Sequence, residues 1–255
     1  MKYMSDKSKI MEWIAEAEST GTVPAIEIQK RTYNEKLVAW IDTLAMREKM
    51  RDSDDAEEIF AIMSRLLNYV ENSCESLFAD EKLEYLQISD GFIIVAELDC
   101  INEVCEILCQ IQWQVLFYSQ MLLRGALTAG KVSMSEDSKL IIGPAFIEAF
   151  ALESENAIFP RILFANEVKD YIKDGTLSFS YLKEDSDHFI YLDFLKYVID
   201  KEQLKTKDLK HLVQTQGVKK LLIEGYSGNL AKRKNLAQKH GWLIARFAEH
   251  KIKLF

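Results

Sequence analysis

Two aspartates carry the first sign of chemistry. Asp42 closes the apolar run Leu37-Val38-Ala39-Trp40-Ile41, and Asp90 precedes Gly91 between two strand-like segments, residues 84–89 and 92–96. Taken singly, an Asp before Gly is a turn residue and an Asp closing an apolar run is a helix cap. Taken together, with the run 37–41 as a strand beside that hairpin, the two carboxylates arrive at one end of a sheet. Two hard oxygen ligands there suit Mg²⁺ or Mn²⁺, which take one or two protein carboxylates and fill their other positions with water and phosphate oxygens. Such a site implies a nucleotide.

The elements that must position the pair follow from periodicity. The run 37–41 has strand length and no polar alternation, as a strand buried on both faces does. Asp54 and Glu57 form a capping-box pair, after which Ile59, Met63, Leu66, Val70 and Cys74 recur at helical spacing. Asp90-Gly91 is the dipeptide that favours a type I′ turn, so a hairpin is expected there. Ile101, Val104, Cys105, Leu108, Ile111 and Val115 mark a second helix, followed by a strand over residues 124–132. Strand, helix, strand, strand, helix, strand is the split βαβ order, an α+β fold of ferredoxin-like, palm type with helices on one face of a mainly antiparallel sheet. Gly143-Pro144 opens a further helix, residues 160–164 read as a strand, and residues 190–253 read as mostly helical. The expected organisation is a leader over residues 1–35, a catalytic domain over 36–190 and a helical extension over 191–255.

Composition bounds the function. The 255 residues are 48% hydrophobic and 28% charged, with 10 Gly and 3 Pro, which excludes a disordered or collagenous chain. No apolar run reaches the ~20 residues a membrane span needs, and the first ten residues have no signal-peptide core, so a cytoplasmic protein is expected. Cys74, Cys100, Cys105 and Cys109 form no CxxC pair and read as buried, reduced thiols. The net charge of −8 divides into +9 over residues 201–255 and −17 over the rest. A body that acidic repels phosphate backbones, so nucleic acid is not the expected partner. His188, His211, His240 and His250 show no ligand spacing.

The motifs in order resemble those of class III nucleotide cyclases, and most closely the pyrimidine cyclases of the bacterial Pycsar anti-phage systems. The resemblance covers roughly residues 36–170. Residues 38–46, Val-Ala-Trp-Ile-Asp-Thr-Leu-Ala-Met, look like the family's first metal motif, and Ile88-Ser89-Asp90-Gly91-Phe92 looks like the second. Arg124-Gly125-Ala126-Leu127-Thr128-Ala129-Gly130 is similar to the Arg-Gly strand that follows. Gly143-Pro144-Ala145 through Ala149-Phe150, then Leu152-Glu153, resembles the next helix, and Pro160-Arg161-Ile162 the next strand.

The resemblance implies a nucleoside triphosphate, UTP or CTP, held by two Mg²⁺ or Mn²⁺ ions and cyclised to a 3′,5′-cyclic nucleotide with loss of pyrophosphate. Asp42 and Asp90 would bind both ions with help from the Thr43 carbonyl. Backbone N–H groups of Leu44, Ala45 and Met46 would cradle phosphate at a helix start, where free N–H groups favour anions. The family's later helix carries an Asn and an Arg that contact the ribose and the transition state, and Ile147 and Ala151 stand at those positions. A substitute cation is sought in Arg47, Arg124 or Arg161. The resemblance also implies a head-to-tail homodimer and a separate effector that reads the product. Two other readings stay open: a degenerate cyclase-like module that senses a nucleotide or joins a partner, and a palm-type polymerase or oligonucleotide cyclase, which the acidic body disfavours.

Overall fold

The structure is a computed structural model that describes residues 19, 32–44, 46, 50, 56–135, 140–201, 211, 213, 217–229, 234–252 and 254. The chain divides into two units, Met1–Thr32 and Tyr33–Phe255, and the second holds the elements that follow. In order these are β1 (Asn34–Leu44), α1 (Ala56–Ala79), β2 (Leu83–Ile88), β3 (Gly91–Ala96), a short 3₁₀ turn (Leu98–Cys100), α2 (Ile101–Ser119), β4 (Leu122–Met134), β5 (Ile141–Ile142), α3 (Pro144–Asn156), β6 (Ile162–Phe164), α4 (Asn166–Lys173), β7 (Leu182–Glu184), β8 (Ile190–Leu192), α5 (Phe194–Lys201), α6 (Val218–Asn229) and α7 (Lys234–Glu249).

The strands form one sheet in the order β2-β3-β1-β4-β6-β8-β7, with β5 paired to β4. All these pairings are antiparallel except β4 with β6. This is the expected α+β arrangement, with β1 inside the sheet between β3 and β4 and apolar on both faces. Leu37, Ala39 and Ile41 face the main core beneath α1 and α2, while Val38 and Trp40 face a second, smaller core with Ile93 and Val95 of β3. The helices are not confined to one face, since α3 packs through Ala145 and Ala149 on that second side of β1 and β4. Two short strands that the sequence reading leaves out, β7 and β8, extend the sheet. After them α5 packs on α2, and α6 on α7.

The four cysteines are free and buried, as expected. Among the described residues no helix is long and apolar enough to cross a membrane.

Candidate functional site

Strand register brings the candidate residues together. Asp42 lies near the end of β1 directly opposite Arg124 of β4. On its other side β1 pairs with β3 as far as Ile41 opposite Phe92, one position short of the hairpin turn that carries Asp90. The loop of that hairpin is Ser89-Asp90, because Ile88 already pairs with Gly91. Ser89 has a positive φ of 56° and Asp90 does not, so the turn is not of type I′, which needs positive φ at both central residues. Gly91 answers a different demand. A Cβ there would lie 2.7 Å from a ring carbon of Trp40, so the glycine lets the indole lie against the hairpin.

Arg124 joins three groups. Its Nη2 and Nε donate to Asp42 Oδ2 at 3.0 and 3.3 Å, and its Nη1 reaches the Ala157 carbonyl at 3.4 Å. Its Nε also lies 2.6 Å from Glu153 Oε1. That second contact is an ion contact without a hydrogen bond, because Glu153 Oε1 is a buried oxygen with no donor aimed at it. The other carboxylate oxygen, Oε2, accepts from the Trp40 indole N–H at 3.2 Å. Glu153 is 2% exposed, so this acid is enclosed beside the site rather than solvated. On the opposite flank the Thr43 hydroxyl donates to Asp90 Oδ2 at 2.9 Å.

The electrostatics follow from that crowding. Burial raises the Asp42 carboxyl above the usual carboxylate range and Asp90 adds to the rise, against the opposing pull of Arg124. Burial pushes Glu153 up to about 7, with Asp42 reinforcing and Arg124 and the Trp40 N–H opposing. Burial at this sheet end therefore disfavours the ionised carboxyls, and the Arg124 guanidinium opposes that effect. Among the described residues no group of three or more His, Cys, Asp or Glu is placed to hold a metal ion. The pair Asp42 and Asp90 nevertheless fits a magnesium-type ion, which needs only one or two protein carboxylates. The guanidinium on Asp42 Oδ2 shows that this oxygen already binds a cation.

The other expected residues divide. Thr43 is at the site, but the group that meets Asp90 is its hydroxyl. Leu44 ends β1 opposite Leu122, so it belongs to the ladder, and Met46 is buried. Ala45 and Arg47 lie outside the described residues. Arg161 does not join the group. Its side chain is fully enclosed, with Nη1 on Asp185 at 2.7 Å and on Asp187 at 3.0 Å and Nη2 on Asp187 Oδ2. Phe159 and Tyr191 lie against its guanidinium, and the Trp242 indole of α7 donates to Asp185 at 2.7 Å. Arg161 thus binds α7 to the end of the sheet and presents no face to a nucleotide. Ile147 is 67% exposed on α3.

Sequence reasoning missed Glu153 and the Trp40 indole as site residues. A signal existed: Ala145, Ala149 and Glu153 recur every four residues, which puts an acid on the buried stripe of α3.

No protein-family model matches the sequence, and no curated protein matches it. Solved structures do match the fold. The monomeric guanylyl cyclase domain of the RhoGC fusion protein from the aquatic fungus Blastocladiella emersonii is similar with a TM-score of 0.51 at 14% identity, over 62% of this chain and 94% of that one. The non-canonical dimeric guanylyl cyclase domain of the same fungal protein gives a TM-score of 0.52 at 14% identity, over 64% and 98%. A bacterial light-regulated adenylyl cyclase gives 0.50 at 13% identity, over 73% and 100%. Over roughly the two thirds of the chain that these structures cover, the fold is therefore that of nucleotide cyclase domains.

Proposed function

We propose that this chain is a metal-dependent nucleotidyl cyclase that converts a nucleoside triphosphate to a 3′,5′-cyclic nucleotide and pyrophosphate. The observation that carries the reading is the convergence of Asp42 and Asp90 at one sheet end, on a cyclase fold, with Arg124 on Asp42. In the reaction the substrate's 3′-hydroxyl oxygen bonds to the α-phosphorus, the bond from that phosphorus to the β-phosphate oxygen breaks, and the hydroxyl proton leaves. No protein nucleophile is needed, since phosphoryl transfer rests on in-line positioning and charge neutralisation. Asp42 and Asp90 would hold two Mg²⁺ or Mn²⁺ ions, which when bound neutralise phosphate charge and favour ionisation of the hydroxyl. Thr43 orients the Asp90 carboxylate through its 2.9 Å hydrogen bond.

The finer reading rests on the motif resemblance: a UTP or CTP cyclase of the cytoplasm, whose product signals phage infection to a separate effector. The resemblance implies transition-state contacts from a second copy in a head-to-tail homodimer, and because Ile147 and Ala151 stand where the family has its Asn and Arg, that copy must offer another cation. Incubation with each of the four ribonucleoside triphosphates and Mn²⁺, with product mass as readout, tests the activity and its base preference together.

One observation favours a second reading. Arg161 is enclosed and Arg124 is engaged by Asp42, so two of the three candidate transition-state cations are committed within the chain. A module that binds nucleotide without turnover would look the same. Saturable triphosphate binding with no product under any condition would select it.

A further inference from the structure

Arg124 stands between two carboxylates, and only one of them accepts hydrogen bonds from it. Asp42 Oδ2 receives both Nη2 and Nε, whereas Glu153 Oε1, 2.6 Å from Nε, receives none. The Trp40 indole fixes the other Glu153 oxygen at 3.2 Å, so the unsatisfied one stays aimed at the guanidinium. The Ala157 carbonyl holds Nη1 from a third side. A guanidinium cannot shed its proton, so it competes directly with any metal ion for Asp42.

We propose that Glu153 is a positioning residue: the enclosed carboxylate onto which Arg124 turns when Asp42 gives its oxygens to a divalent cation. The inference rests on the cyclase reading and deepens it. The exchange needs little movement, because Nε is already in contact with Glu153 Oε1 and only the direction of its N–H must change. It keeps the guanidinium paired at every stage, which matters because a buried charge left without its partner is strongly unfavourable. It also keeps Arg124 at the sheet end that carries Asp42, restrained by Glu153 and Ala157.

The test is Mn²⁺ binding without nucleotide, read by electron paramagnetic resonance of free Mn²⁺, on the full chain and four variants. Glu153→Gln keeps the side-chain volume and the acceptor for Trp40 but removes the anion. It should weaken Mn²⁺ binding about tenfold, Arg124→Ala should tighten it, and the double variant should lie within about threefold of Arg124→Ala, since coupled residues are non-additive. Wild-type affinity in Glu153→Gln, or a double variant in which the Glu153→Gln weakening persists in full, would overturn the exchange while leaving the metal site standing. Asp42→Asn should abolish binding. A wild-type chain that binds no Mn²⁺, or binds it equally with Asp42→Asn, would overturn the cyclase reading and this inference with it. If Glu153→Gln does not fold, Arg124→Ala decides alone, and weaker binding by that variant overturns the exchange.

Discussion

Arg124 faces Asp42 across the β1–β4 ladder, and its Nη2 lies 3.0 Å from Asp42 Oδ2. This one cross-strand pair joins a cation to a carboxylate that the proposed cyclase chemistry would give to metal. Arg124 thus engages Asp42, while Asp90 is held by the Thr43 hydroxyl.

Asp90→Asn should therefore remove most metal-dependent turnover with little loss of stability. The loss expected for one metal carboxylate is at least about a hundredfold in kcat, as for removal of a single strong electrostatic contact. Steady-state rates in Mn²⁺ together with urea unfolding check both halves. Unchanged turnover would place the chemistry elsewhere.

The ladder that carries the pair has no room at Gly125. A Cβ there would sit 2.5 Å from the Trp40 carbonyl oxygen, which is backbone and cannot turn aside. Gly125→Ala should cost about 1–3 kcal/mol, the usual penalty of overpacking. Chemical unfolding measures it, and a shift under a few tenths of a kcal/mol would mean that β1 and β4 separate more easily than their register indicates.

Arg161→Met should cost about 3–5 kcal/mol, because Asp185 is left buried without its cation. Burial pushes Asp185 up, but the Ser186 N–H, the Trp242 indole and Arg161 together outweigh it and hold the carboxyl below its ordinary range. In the folded fraction, Mn²⁺ binding should persist. A stable variant that has lost only turnover would restore Arg161 as a catalytic group.

Glu153 gives the pH dependence a definite sign. Its carboxyl is raised from 4.5 to about 7 in the folded protein, first by burial. Folding therefore takes up a proton between those values, and the stability linked to Glu153 is complete below pH 4.5 and lost as pH rises through 7. Glu153→Gln cannot titrate, so its urea midpoint should gain on the wild type from pH 5 to pH 8. Parallel midpoints across that range would show that Glu153 ionises freely.

Part of the candidate site was legible because its signals are local. The apolar run that stops at Asp42, two residues before β1 ends, and the hairpin at Asp90 locate both carboxylates from adjacent residues alone. The turn was off by one position, since Gly91 serves the Trp40 ring and not a positive φ. The fate of Arg161 was not legible: its partners Asp185 and Asp187 are 24 and 26 residues away, and nothing near Arg161 in sequence reveals them. The strands that bring them, β7 and β8, have three residues each, too short for a periodic pattern. Glu153 was hidden differently, since its partner Trp40 is 113 residues away and only its place on the α3 stripe marks it as buried.

The central claim is that this sheet end closes a nucleoside triphosphate on itself. Its most direct test is the product mass after incubation with each of ATP, GTP, UTP and CTP in Mn²⁺, using the wild type and Asp42→Asn. The wild type should yield a 3′,5′-cyclic mononucleotide and pyrophosphate in equal amounts, with UTP or CTP preferred, and Asp42→Asn should yield neither. No cyclic product from any of the four, or equal product from Asp42→Asn, would contradict it.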